Sequence, residues 1–120
     1  MAAQLDKRAR QLSEQSHGSH ADELETSLML VLAPHLVEMA RAEPSPAIGD
    51  EVPGPLTPSD VNSPNYSRSG SYGDPTLATS AKGEILLAAM LDDIREQAIT
   101  FVADGAAMQQ RPDAVSSVSR

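Results

Sequence analysis

Apolar residues recur at helical spacing in three places along the chain, and the pattern predicts three helices. Over 3–15, Leu5, Ala9 and Leu12 share one face at steps of four and three. Asp6, Lys7, Arg8, Arg10 and Glu14 fill the other faces. The stripe is narrow, so this helix is marginal alone, and Gly18 within Ser16-His17-Gly18-Ser19 is the breaker after it. Over 22–33, Leu24, Leu28, Val31 and Leu32 recur at i, i+4, i+7 and i+8. Met29 and Leu30 widen this face, which predicts a helix buried on more than one side. Ser19 or Asp22 is its candidate N-cap, and Asp22, Glu23 and Glu25 suit the positive end of its dipole. Pro34 disfavours helix at Ala33 and so ends or kinks it. His35-Leu36-Val37 reads as a further turn.

The third pattern is the longest. Asp74-Pro75 is a helix start, with Asp74 as cap and Pro75 at the first helical position; Thr79 or Ser80 offers a second start. Leu87, Leu91, Ile94, Ala98 and Phe101 keep steps of four, three, four and three, broadened by Leu86 and Met90. The pattern ends near Ala103, and Asp104-Gly105 reads as the stop. This gives one domain over 1–105 and a disordered tail over 106–120. Between the second and third helices, 43–76 is loop by composition, because six of the nine prolines fall from Pro44 to Pro64. A loop that long is either disordered or pinned by packing against the rest of a larger protein. No segment alternates cleanly enough for a strand; Val37–Ala40 and Val52–Leu56 are the nearest candidates. No internal repeat is visible.

Composition narrows the classes. A chain of 120 residues has room for one small domain. Aromatic residues are 2%, so Leu, Val, Ile, Met and Ala must form the core, and it is thin. The absence of Cys excludes disulfides and Cys-type zinc sites. The formal charge of −8 argues against a nucleic-acid partner. The longest strongly apolar run, Leu28 to Ala33, is far short of the roughly 20 residues of a membrane span. With no signal peptide and no lipidation motif in the sequence, a cytoplasmic location is the default expectation.

One stretch concentrates reactive groups. Ser19-His20-Ala21-Asp22-Glu23-Leu24-Glu25-Thr26-Ser27 sets an imidazole, three carboxylates and several hydroxyls at the mouth of the second helix. His carries protons at neutral pH, and carboxylates can orient it or bind a divalent cation. Acidic residues in a first turn are also ordinary cap and dipole chemistry, so spacing alone favours that plainer account. Met29, Met39 and Met90 read as core fillers. Gly70 and Gly73 lack the Lys-Ser/Thr ending of a phosphate loop, which argues against nucleotide binding. His17 and His35 read as surface residues.

Two separated motifs in the right order resemble the creatininase (creatinine amidohydrolase) family. The first is His20-Ala21, then Glu23-Leu24-Glu25-Thr26-Ser27-Leu28-Met29-Leu30, followed by Ala33-Pro34 and Leu36-Val37. The second is Ser69-Gly70-Ser71-Tyr72-Gly73-Asp74-Pro75-Thr76-Leu77-Ala78-Thr79, followed by Ala81-Lys82-Gly83. The resemblance covers roughly residues 5–103 and the C-terminal half of a family member. It implies an α/β fold with three α/β/α layers, of which this chain would be a helix-dominated part carrying a Pro-rich loop. It implies metal-dependent hydrolysis of non-peptide C–N bonds in cyclic amides or formamides, with zinc or manganese as cofactor. It also implies a homo-oligomer, or association with the missing N-terminal half. By the same resemblance His20 is a catalytic proton shuttle and Glu25 lies near the active site, with Glu23 and Tyr72 close to substrate. A turn-packing role is the plainer reading of Tyr72.

The departures matter equally. The family's main metal ligands lie in a Glu-x-His-Gly stretch and a Gly-Asn-rich stretch that this sequence lacks. Glu25 is the one weak candidate ligand, no metal set is complete, and the chain alone is expected to be inactive and metal-free. Asp22 stands where the family has a small residue, and is expected to crowd the site or repel Glu23 and Glu25. Ser19 stands where creatininase itself has Glu. The other readings are a non-catalytic helical module that docks on a homologous subunit and a mostly disordered acidic chain; the apolar faces at 24–32 and 86–101 argue against the latter.

Overall fold

The computed structural model describes residues 3–45 and 56–110. Three helices carry the architecture: α1 (Ala3–Leu12), α2 (Glu23–Leu32) and α3 (Ser80–Gln109). Short 3-10 turns lie at Pro34–Leu36, Met39–Arg41 and Pro75–Leu77. Both α1 and α2 pack on α3.

The α1 helix ends three residues before the expected 15. The cause is the Glu23 carboxylate, which accepts the Glu14 and Gln15 N–H groups and so draws them out of the helical ladder. The other end of α1 is capped from a distance: Asp93 of α3, 3% exposed, accepts the Gln4 and Leu5 N–H groups at 3.0 and 2.8 Å. Leu5, Ala9 and Leu12 are half-buried, as a narrow stripe against α3 should be. The α2 helix starts after Asp22, the N-cap, whose side chain accepts from Leu24 and Glu25 N–H. It stops before Pro34 as the sequence indicates. Its burial differs from the expectation: Glu23 and Ser27 are its buried residues, while Met29 and Leu32 are 38% and 60% exposed.

Pro75 opens a single 3-10 turn capped by Asp74; the α-helix begins only after Thr79, whose side chain accepts the Lys82 N–H. Ala78, in extended backbone between them, separates the two starts. The α3 helix runs through Asp104-Gly105 to Gln109, so the expected stop and the tail boundary at 105 are both corrected. Gly105 keeps ordinary helical backbone rather than positive φ, and the helix formers Ala103, Ala106, Ala107 and Met108 around it carry the ladder onward. The rest of the tail, 111–120, lies outside the described residues. The buried face of α3 is Gly83, Leu86, Ala89 and Asp93. The stripe expected to be core points outward instead: Leu91, Ile94 and Phe101 are 55%, 55% and 80% exposed.

Among the described residues there is no strand, so they show none of the sheet that the α/β expectation requires. The nearest feature is an isolated antiparallel bridge between His20 and Tyr72. The strand candidate Val37–Ala40 is overturned, because the chain there turns into the 3-10 segment at Met39–Arg41. Val52–Pro55 of the other candidate lies outside the described residues. The described loop residues are pinned within this chain. Ser45 and Gly73 exchange hydrogen bonds, Ser71 Oγ donates to Ala21 O, and Tyr72 Oη donates to Asn65 O. The interior these contacts enclose is more polar than apolar. Tyr72, Pro75, Ala78, Leu86 and Ala89 are its buried apolar residues, against Asp22, Glu23, Ser27, Ser45, Asn65, Ser67, Ser71 and Asp93. Such an interior holds only because its polar atoms find partners.

Candidate active site

The two motifs meet at the N-terminal end of α2. Their contact begins with Ser27, fully buried, whose hydroxyl donates to Glu23 O at 2.6 Å and accepts the Thr79 N–H at 3.1 Å. Gly83 presses on the same residue: a Cβ there would lie 1.9 Å from Ser27 O and 2.8 Å from Val31 Cγ2. Only glycine permits this approach between α2 and α3.

Glu23 is the hub. Its carboxylate is fully buried and accepts from Ser13 Oγ, the Glu14 and Gln15 N–H groups, and Lys82 Nζ at 2.6 Å. Lys82 Nζ also donates to Leu77 O at 2.9 Å and to Glu14 Oε2. Burial alone would push the Glu23 carboxyl up; the Lys82 hydrogen bond and charge, with the Gln15 and Glu14 N–H groups, outweigh it and hold it below 4.5. Burial would likewise pull the Lys82 ammonium down, but Glu14 and Glu23 hold it above 10.5. Gln15 completes the anchor. Its side-chain oxygen accepts the Asp74 and Glu23 N–H groups, and its amide nitrogen donates to Asp22 Oδ2.

Asp22 therefore turns inward as a cap. Its oxygens are filled by Leu24, Glu25 and Gln15 donors, so the crowding expected from it is absent. Glu25 turns the other way. It is exposed, and its Oε2 accepts the Ala21 N–H at 2.6 Å, the reach-back contact of a capping box displaced by one residue. Ala21 has φ of +46°, a left-handed conformation that costs a non-glycine residue about 1–2 kcal/mol. The Glu25 bond at its N–H and the Ser71 bond at its carbonyl hold it there. This bend fixes the neighbouring His20, whose backbone is bridged to Tyr72 (Tyr72 N–H to His20 O, 2.8 Å) and whose residue is exposed.

The structure thus gathers the four residues singled out in the sequence into one corner, but in two states. His20 and Glu25 are exposed. Glu23 and Tyr72 are buried and satisfied by protein partners, at 0% and 6% exposure. An open cleft of about 530 Å³ lies beside Glu25, lined also by Thr26, Met29, Met39, Arg41, Ser71 and Pro75. Met29 and Met39 are cleft walls here rather than core fillers. His35 is exposed, whereas His17 is half-buried, with Nδ1 3.0 Å from Ser16 Oγ.

No group of three or more His, Cys, Asp or Glu side chains among the described residues can hold a metal ion. The chemistry explains this: Asp22 and Glu23 spend their lone pairs on protein donors, and Glu25 gives one oxygen to the Ala21 N–H, which leaves its other oxygen and His20. These residues do not by themselves fit a zinc or manganese site.

Lys82 and Gln15 are the site residues that a search for reactive groups passes over. Lys82 does carry a physical signal in the sequence. It falls in the first turn of a helix, where the dipole disfavours a cation unless a carboxylate stands opposite.

A family model described as Creatininase: Creatinine amidohydrolase matches residues 1–98. No curated protein and no solved structure matches the chain.

Proposed function

The chain belongs to the creatininase (creatinine amidohydrolase) family, and from that premise we propose that it supplies one wall of a metal-dependent amidohydrolase site. The reaction is hydrolysis of a non-peptide C–N bond in a cyclic amide or formamide. His20 moves the proton to the leaving nitrogen, and Glu25 orients substrate or donates to the metal shell. The remaining metal donors come from polypeptide outside the described residues, so the chain alone is inactive and holds no metal tightly. The observation that supports this most directly is the convergence of both family motifs on one corner. Glu23, Ser27, Thr79, Lys82 and Gly83 interlock there, and His20 and Glu25 beside them are exposed. The proposed setting is the cytoplasm. No helix among the described residues is long and apolar enough to cross a membrane.

The test is co-expression with the N-terminal half of a family member carrying the Glu-x-His-Gly stretch. Metal-dependent hydrolysis of a panel of cyclic amides and formamides, abolished by His20→Ala, is the expected result. No metal uptake and no turnover with that half supplied would remove the enzyme reading. A second reading, a non-catalytic module that docks on another subunit, draws on the exposed apolar residues of α3.

A further inference from the structure

The α1 and α2 helices cover only the first half of α3. Its last buried residue is Asp93, and every residue from 94 to 109 is exposed. Sixteen residues of helix with no support from the other described residues are marginal in water. One stripe of their surface is nonetheless ordered, with Ile99 and Val102, 59% and 68% exposed, lying off it. Leu87, Leu91, Ile94, Ala98, Phe101, Gly105 and Met108 follow steps of four, three, four, three, four and three, the spacing of a coiled-coil seam. Leu91 and Ile94 are each 55% exposed, Phe101 80% and Met108 74%. The stripe also runs past residue 98, where the family match stops.

We propose that this seam is a self-docking surface on which a second copy of the chain lays its own α3 antiparallel. The order of side-chain sizes selects both occupant and direction. Set Ala98 of one copy against Phe101 of the other, antiparallel. The same register then sets Gly105 against Ile94 and Leu91 against Met108, so each small residue meets a large one, as close packing requires. A parallel pair would stack Ala98 on Ala98 and Gly105 on Gly105, leaving voids on either side of a crowded Phe101 layer. Gly105 is a poor residue for a helix interior. A Cβ built there meets nothing within 4 Å among the described residues, so no packing there demands it, whereas a facing Ile94 would. The antiparallel arrangement also opposes the two helix dipoles and keeps the Asp92, Asp93 and Glu96 clusters of the two copies at opposite ends. This inference does not depend on the amidohydrolase reading.

The full chain, which contains no Cys, serves for the test. Sedimentation equilibrium over the micromolar range is expected to show a monomer–dimer equilibrium. Phe101→Glu should weaken it by at least about tenfold without loss of helical circular dichroism. Oxidising a mixture of Leu91→Cys and Met108→Cys chains should give a mixed disulfide dimer, while neither variant cross-links alone. A chain monomeric throughout would overturn the proposal, as would Leu91→Cys cross-linking to itself, the signature of a parallel pair. So would a Phe101→Glu chain that loses helix while both it and the parent are monomeric. That result would mean that the seam is covered within a single copy of the chain.

Discussion

Lys82 Nζ lies 2.6 Å from Glu23 Oε1, tying the first turn of α3 to the first residue of α2. The carboxylate is fully buried and the lysine side chain 14% exposed. Removing one partner leaves the other charge uncompensated, which costs far more than the pair's net worth. Lys82→Met is therefore expected to destabilise the chain by about 3 kcal/mol, read as a fall in the urea midpoint. A midpoint unchanged within error would show that Glu23 is satisfied without the lysine.

The same pair sets the pH range of stability. Glu23 is held below its ordinary 4.5, so the folded state favours its charged form. That stability is present above pH 4.5 and is lost as pH falls through the depressed folded value. Lys82 is held above 10.5; its contribution is complete below that pH and is lost as pH rises through the raised folded value. Urea midpoints should form a plateau between these limits with a fall on each side. In Glu23→Gln the acid fall should shrink.

Asp93 offers a second test of the buried polar framework. It caps α1 from another helix, so Asp93→Ala leaves the Gln4 and Leu5 N–H groups without an acceptor. The expected cost is about 1–2 kcal/mol, with faster hydrogen exchange confined first to the start of α1.

The helices were legible in the sequence because caps and proline act locally. Asp22, Pro34 and Thr79 mark boundaries that the structure keeps to within a residue. The packed stripe of α1, Leu5, Ala9 and Leu12, was legible too, but the buried faces of α2 and α3 were not. Periodicity ranks Leu91, Ile94 and Phe101 as core, but burial is decided by what another element can reach. Gly83 lets α2 approach α3 closely, and the α3 residues buried beyond it are Leu86, Ala89 and Asp93, while Leu91, Ile94 and Phe101 stay exposed. The candidate site divides in the same way. Reactive residue types marked out the stretch 19–27 and the family resemblance singled out His20 and Glu25 within it, yet neither shows that Glu25 is exposed and Glu23, two positions earlier, buried. That difference rests on Lys82, 59 residues away in the chain.

The glycines of α3 should respond in opposite directions. Gly83→Ala forces a methyl group against the Ser27 carbonyl, at 1.9 Å before relaxation, and backbone cannot swing aside as a flexible side chain would. Separating α2 from α3 should cost about 3 kcal/mol. Gly105→Ala meets open space on a helix and should gain about 0.5–1 kcal/mol when both are measured at dilute, monomeric concentration. Equal effects at the two positions would show that helix propensity, not close approach, governs Gly83.

His20 and Glu25 can be separated by measuring stability and activity on the same variants. His20 is exposed and enters the fold through its backbone bridge to Tyr72, so His20→Ala should change stability by less than about 0.5 kcal/mol. If its imidazole transfers the proton, turnover in the complemented assembly should fall by about 10²–10⁴. Glu25 has a structural duty as well, since its carboxylate holds the strained Ala21 N–H. Glu25→Ala should cost about 1 kcal/mol and disturb the bend next to His20. Glu25→Gln keeps an oxygen able to accept that bond but removes the charge, so it should restore most of the stability. Activity recovered along with stability in Glu25→Gln would assign Glu25 to positioning alone; activity still lost would assign its charge to the reaction.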